Sequence, residues 1–177
     1  MATKKISPLA QEIKEWCETN SKMPDDVDEV FCGSFEHKTR KNNTLKYLRL
    51  FVTTARLIAF IKENPNLLVT DSARKSNWKG FSLILMGTTD ASRQFHPFGL
   101  LLSLKAKKKD FKFGFKVLIT LCRHLNDGMR YRPSKLLADN SSIITKAFKK
   151  QFKRLPDKRI VCWTHALRNW DGDSEFK

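Results

Sequence analysis

Two short stretches decide how this chain is read: Leu67-Leu68-Val69-Thr70-Asp71 and Lys135-Leu136-Leu137-Ala138-Asp139. Each is an apolar run too short for a helix, and each closes on an aspartate, so both read as buried strands ending in a carboxylate. Between them lie two further apolar runs, Phe81 to Met86 and Phe98 to Leu104, separated by the turn-prone Gly87-Thr88-Thr89-Asp90 and by His96-Pro97. Three strands in close succession predict an antiparallel meander. Phe111, Phe115, Leu118, Ile119, Cys122 and Leu125 then recur on one helical face, and Asn126-Asp127-Gly128 supplies the stop. After Asp139, Asn140 or Ser141 can cap a helix whose face is Ile143, Ile144, Ala147, Phe148 and Phe152. Pro156-Asp157 breaks that helix. Arg159-Ile160-Val161-Cys162-Trp163 reads as a last buried strand, running into a helical stretch from Thr164 to Trp170. The order from residue 67 is therefore β-β-β-α-β-α-β-α.

Ahead of this lies a lead-in over 44–66. Leu48, Leu50 and Val52 alternate with Tyr47, Arg49 and Phe51 as in a strand, and Thr53 or Thr54 can cap a helix carrying Leu57, Ile58 and Ile61 that stops at Asn64-Pro65. Residues 1–43 hold a short amphipathic segment around Leu9 to Trp16, the acidic patch Asp25, Asp26, Asp28 and Glu29, and then polar residues. They are expected to form a leader with little structure of their own.

Hydrophobic residues make up 41% of the 177 and charged residues 29%, which supports a folded α/β domain and excludes a wholly disordered chain. No apolar run reaches the roughly 18 residues of a membrane span, and no apolar signal core follows the N-terminus, so no membrane partner is expected. Net charge is +16 and uneven: residues 1–66 hold 11 basic and 9 acidic side chains, and residues 67–177 hold 23 and 9. Such a field attracts polyanions, which makes nucleic acid the leading partner. Cys17, Cys32, Cys122 and Cys162 lie far apart without a C-x-x-C pair and read as reduced thiols.

Three strands, a helix, and then alternating strand and helix is the ribonuclease-H-like order, in which the first and fourth strands are neighbours in a mixed sheet. Asp71 and Asp139 would then meet at one sheet edge. Paired carboxylates suit Mg²⁺ or Mn²⁺, and two such ions about 4 Å apart can drive an in-line displacement at phosphorus. Taken on pattern alone, each aspartate has a plainer reading: strand-ending Asp residues make turns, and Asp139 precedes a helix start that favours negative charge.

Three pieces, LLVTDSARKSNWKGFSLILMGTTDASRQFHPFGLLLSL (67–104), LLADNSSIITKAFKKQF (136–152) and IVCWTHALRN (160–169), resemble in order and spacing the transposase domain of Mutator-like elements (MULE). The preceding LRLFVTTARLIAFIKENPN (48–66) resembles that family's usual lead-in. The resemblance implies a ribonuclease-H-like core in 67–177 that cuts and joins DNA with Mg²⁺ or Mn²⁺, with Asp71 and Asp139 as catalytic metal ligands. It places the family's C-x-x-H pair on Cys162 and His165, which would be half of a zinc-type site or would sit near the active edge. Lys75, Lys79, Arg93, Lys105, Lys107, Lys108 and Lys109 are the candidate DNA contacts.

The match departs from the family in two places. Asp71 is followed by Ser72, Ala73, Arg74 and Lys75, which keeps the family's lysine but not its threonine and aromatic residue. The family's third acidic ligand, a glutamate well beyond the C-x-x-H pair, has no convincing counterpart, since Glu175 is the sole glutamate after His165. The core is therefore expected to be truncated at its C-terminal end. Three readings follow and stay open at this point: a transposase core fragment of weak or no activity, a domesticated, non-catalytic DNA-binding regulator, or a relic open reading frame with no selected function. Either of the first two would act on DNA, in the nucleus given a eukaryotic host, with self-association left open.

Overall fold

The computed structural model describes residues 7–41, 44–73 and 80–162. In chain order the elements are α1 (Ser7–Thr19), β1 (Phe31–Thr39), β2 (Leu45–Thr53), α2 (Ala55–Ala59) with a following 3₁₀ turn (Phe60–Lys62), β3 (Leu67–Ala73), β4 (Ser82–Thr89), β5 (Phe95–Ser103), α3 (Lys108–Leu125), β6 (Lys135–Ala138), α4 (Ser142–Phe152) and β7 (Lys158–Val161). The strands form one mixed sheet in the order β1-β2-β5-β4-β3-β6-β7. From β3 onward the expected succession is present through β7. The meander β3-β4-β5 is antiparallel, while β3-β6 and β6-β7 are parallel. This arrangement is compatible with a ribonuclease-H-like sheet. The helix expected over Thr164 to Trp170 lies outside the described residues.

Local chemistry accounts for the helix ends. Thr54 opens α2, its Oγ1 accepting from the Leu57 amide at 3.2 Å, so of the two candidate caps the second is used. Ser141 opens α4 in the same way, through Ile143 N at 3.4 Å. At the end of α3, Asp127 and Gly128 take positive φ, and the Gly128 amide donates back to Arg123 O at 2.9 Å, a Schellman closure that satisfies a terminal carbonyl. Asn126 is buried there and its Nδ2 donates to Ile58 O at 3.1 Å, tying α3 to α2.

Residues 7–41, expected within a leader of little structure, contribute α1 and β1; β2 and α2 lie in the lead-in over 44–66, and β2 joins β1 to β5 inside the same sheet. β1 escaped sequence reading because only its first half is covered: Phe31 and Cys32 are buried, whereas His37 to Thr39 are exposed and polar. Its strand character comes from pairing with β2 rather than from its own pattern.

A second difference concerns His96-Pro97, expected as a turn. Both lie within β5, and the chain reverses instead over Asp90 to Gln94, where Arg93 has φ 64°. Pro97 is tolerated because it sits at an irregularity of the β4-β5 ladder, between the pairs Met86↔Gly99 and Gly87↔Pro97. His96 is held by a 2.8 Å contact from Nε2 to Asp90 Oδ2 and by stacking on Phe60 at 4.2 Å.

Both faces of the sheet are covered. The larger core joins Phe51, Leu68, Ile84, Met86, Phe98, Leu101, Leu136 and Ala138 of the strands to Ile58, Phe115, Leu118, Ile144 and Phe148 of the helices. On the opposite face Leu48 and Leu50 pack with Cys17 of α1, Cys32 and Phe81. The alternation in β2 thus divides its side chains between two cores. Gly99 permits close approach in the first: a Cβ there would lie 2.5 Å from the Phe51 ring and 2.9 Å from Val52 O.

A buried ion pair fastens α3 to the sheet. Arg49 Nε donates to Asp110 Oδ1 at 2.6 Å, its Nη1 meets Glu36 at 3.0 Å, and its guanidinium lies over the Tyr47 ring at 4.6 Å. Asp110 Oδ2 accepts from the Lys107 amide at 2.9 Å. Among the described residues no helix is long and apolar enough to cross a membrane.

Two outcomes test this packing. Asp110→Ala leaves Arg49 buried with only its more exposed partner Glu36, and should cost about 3–5 kcal/mol in urea denaturation. The four cysteines are free thiols. Burial pushes the Cys17 thiol up to about 12, with Cys32 beside it adding to the effect, and burial also raises Cys32 and Cys122. Iodoacetamide at pH 8 should therefore modify the half-exposed Cys162 first and the other three only after unfolding, read by peptide mass mapping.

Candidate functional site

The parallel pairing of β3 with β6 runs Leu67↔Lys135, Leu68↔Leu136 and Val69↔Leu137. Asp71 and Asp139 have the same separation in sequence as each of these pairs. The paired ladder ends at Val69↔Leu137, and the same register carried on by two residues would set Asp71 and Asp139 level, about one strand spacing (~4.8 Å) apart in the backbone. Alternation assigns their face. Leu68, Leu136 and Ala138 are buried toward the helices, so Asp71 and Asp139 fall on the other side, in line with the half-buried Val69 and Leu137. Asp71 is exposed and Asp139 half-buried, at the carboxyl ends of parallel strands where open α/β sheets offer ligand crevices.

Local hydrogen bonds position both carboxylates. Asp71 Oδ1 accepts from the Ser72 amide at 2.7 Å. Asp139 Oδ1 accepts from the Ser141 amide at 2.8 Å, a turn that leads into α4, so the structural role that sequence alone allowed it is real. Asp139 Oδ2 has no hydrogen bond among the described residues.

Arg159, which sequence reasoning passed over as one residue of an apolar strand, organises this end of β6. From β7, where it pairs with Leu136, its guanidinium donates to Ala138 O at 3.3 Å, to Asp139 O and to Ile160 O, and its Nε to Thr145 Oγ1 at 3.2 Å. Burial draws its pKa down and the Asp139 charge opposes that fall. The guanidinium is directed largely at main-chain oxygens, which holds the backbone of Asp139 in place. A basic residue inside the short strand Arg159-Ile160-Val161 was the one signal available.

Cys162 follows β7, and its amide donates to Ala138 O at 2.9 Å, so it lies one strand beyond Asp139 at the same level. It is half-buried rather than a core residue. Its sequence partner His165, together with Lys75, Lys79 and Glu175, lies outside the described residues. Among the described residues no group of three or more His, Cys, Asp or Glu side chains forms a metal cluster. His124 is exposed on α3, and His37 is exposed on β1, where its ring stacks with Phe35.

The basic candidates separate by position. Arg93 sits in the β4-β5 turn, beyond Thr89 and hence at the opposite end of the sheet from Asp71. Lys105, Lys107, Lys108 and Lys109 follow β5 and open α3, and they are exposed. The register Ala73↔Leu83, Leu83↔Leu102 and Leu102↔Leu50 carries the Asp71 end of β3 across to the end of β5 and the middle of β2, whose start projects further in the same direction. These lysines therefore share the carboxylates' end of the sheet.

Removing Arg159 as Arg159→Met should lower stability by about 1–3 kcal/mol, the cost of leaving its buried acceptors unsatisfied, measured as a shift of the urea midpoint. In comparison with known proteins, no family model matches the chain, and neither a curated protein nor a solved structure matches it significantly.

Proposed function

We propose that this chain carries part of the catalytic core of a DNA transposase, a metal-dependent enzyme that cleaves DNA strands and transfers them. The observation that supports the reading is the parallel β3-β6 register, which ends at Val69↔Leu137 and points on toward Asp71 and Asp139. The resemblance to Mutator-like transposases falls on the same two residues.

The donor set fits a hard divalent cation. Two carboxylates on adjacent strands, one exposed to solvent, supply the oxygen ligands that Mg²⁺ or Mn²⁺ takes while retaining waters for a substrate phosphate. Such ions, when bound, lower the pKa of an attacking water and stabilise the departing oxygen. Asp71 and Asp139 hold the charge that fixes them. Ser72 and Ser141 orient the carboxylates through their amides, and Arg159 braces the strand end while leaving Asp139 Oδ2 available. The basic side chains at the start of α3 attract the DNA backbone, and nuclear residence would follow in a eukaryotic host.

A second reading, a non-catalytic DNA-binding protein that keeps this fold, is favoured by the exposed lysines at the start of α3, whose field does not depend on the carboxylates. The two readings separate in one assay: the purified chain with Mn²⁺ and end-labelled duplex DNA, beside Asp71→Asn and Asp139→Asn. The transposase reading expects nicking that each substitution lowers by at least about 100-fold, since misplaced reacting groups cost that much. Equal cleavage by all three proteins removes the catalytic role from these residues. DNA binding without nicking in any of them gives the second reading.

A further inference from the structure

A basic concavity lies away from the aspartates. It lies where β2 begins and β5 runs into α3, encloses about 420 Å³, and is lined by Arg40, Lys46, Arg49, Lys105, Lys107 and Lys109. Among the described residues Asp110 is the one carboxylate in its wall, and both of its oxygens are engaged, by Arg49 and by the Lys107 amide. Arg49 is neutralised in turn by Asp110 and Glu36. The other five cations are exposed, and among the described residues none of them forms an ion pair with a carboxylate. Like charges crowded around a hollow repel one another, so a bound anion relieves a cost already present in the free protein. The start of the 18-residue α3 opens into the same hollow and adds its positive helix end.

Two further observations decide what kind of anion fits. A second concavity of about 280 Å³ shares Arg49 and Lys109 with the first and continues past Lys112 and Lys116. Lys109, Lys112 and Lys116 are spaced three and four apart along α3, on one side of the helix. The positive surface is therefore a track rather than a cup, longer than a single phosphate group needs. It also starts at the sheet end that carries Asp71, two strands away at Lys105 and three at Lys46. Asp71 is level with Leu85, Leu100 and Val52, and Lys46 stands further along β2 from Val52, so at ~4.8 Å per strand and ~3.3 Å per residue the separation is about 25 Å, or roughly seven nucleotides at ~3.4 Å of axis each.

We infer that this track is a binding site for the phosphodiester backbone of a nucleic acid, gripping the strand several nucleotides from the position held by Asp71 and Asp139. The distance to the carboxylates rests on the proposed function. The backbone site itself does not. The sequence singled out Lys105, Lys107 and Lys109 by charge alone; Arg40, Lys46, Lys112 and Lys116 join them only through the fold.

The test is fluorescence anisotropy of the full chain with a labelled 20-base-pair duplex across a salt series, in Ca²⁺ so that no strand is cut. The variant Lys46→Gln/Lys105→Gln/Lys107→Gln is compared with the equal-charge control Lys149→Gln/Lys150→Gln/Lys153→Gln on and just after α4, and urea midpoints establish that both fold. The site predicts at least a tenfold loss of affinity in the first variant, with the slope of log K against log[salt] shallower by two to three, at about 0.9 for each phosphate no longer neutralised. The control should lose less than threefold. Equal losses in the two variants would overturn the proposal, as would unchanged DNA binding in the first, or a loss seen only with phosphatidylserine vesicles. Failure of the catalytic reading leaves a separate signature: Asp71→Asn and Asp139→Asn that change neither nicking in Mn²⁺ nor DNA affinity.

Discussion

The pairing of β3 with β6 is the constraint on which the rest depends. The meander β3-β4-β5 and the β6-α4-β7 unit are separate in sequence, and these parallel hydrogen bonds are what makes them one sheet. The pairing is held by burial: Leu68, Leu136 and Ala138 are essentially inaccessible, and they lie in one core with Phe115 of α3 and Phe148 of α4. A parallel pair needs a long crossover, and α3 provides it, anchored at one end by Arg49-Asp110 and at the other by Asn126 reaching Ile58 O. Any slip of one residue would move Leu136 off the core and Asp139 out of line with Asp71 in the same step. Stability and site geometry are thus enforced by the same side chains.

The end of that sheet where β3 and β6 finish carries Asp71 and Asp139, and the cationic start of α3 lies on the same side, across β4 and β5 and several residues further along the strands. Carboxylates that hold a cation and lysines that hold an anion are compatible neighbours when the ligand is itself a polyanion, because each takes a different part of it. Arg159 shows how closely structure and site overlap: it satisfies main-chain oxygens of β6 and, by doing so, sets the height of the Asp139 carboxylate.

Legibility followed the range of the interactions. α3 and α4 were readable because helix periodicity and caps are local, and the apolar faces Phe111 to Leu125 and Ile143 to Phe152 are the faces that are buried. The strands β3 to β7 were readable as apolar runs, but their limits were not, since ladders extend into polar residues such as Thr88-Thr89 and through His96-Pro97. β1 was missed because half of it faces solvent and only β2 makes it a strand. Asp71 and Asp139 were visible as strand-ending carboxylates, whereas Arg159 and the Arg49-Asp110 pair were not, each being defined by a partner distant in sequence.

By itself, then, the sequence determined the succession of strands and helices, the positive charge of the later two-thirds, and the identity of two carboxylates at strand ends. Periodicity, capping and charge are written within a few residues of one another. Only the tertiary structure decided that β1 and β2 extend the sheet beyond β5, that β3 and β6 run side by side in the register Val69↔Leu137, and that Arg40 and Lys46 join the lysines around the start of α3 at one hollow. Those facts depend on register between distant strands, which is selected by which side chains can be buried together and has no local signature.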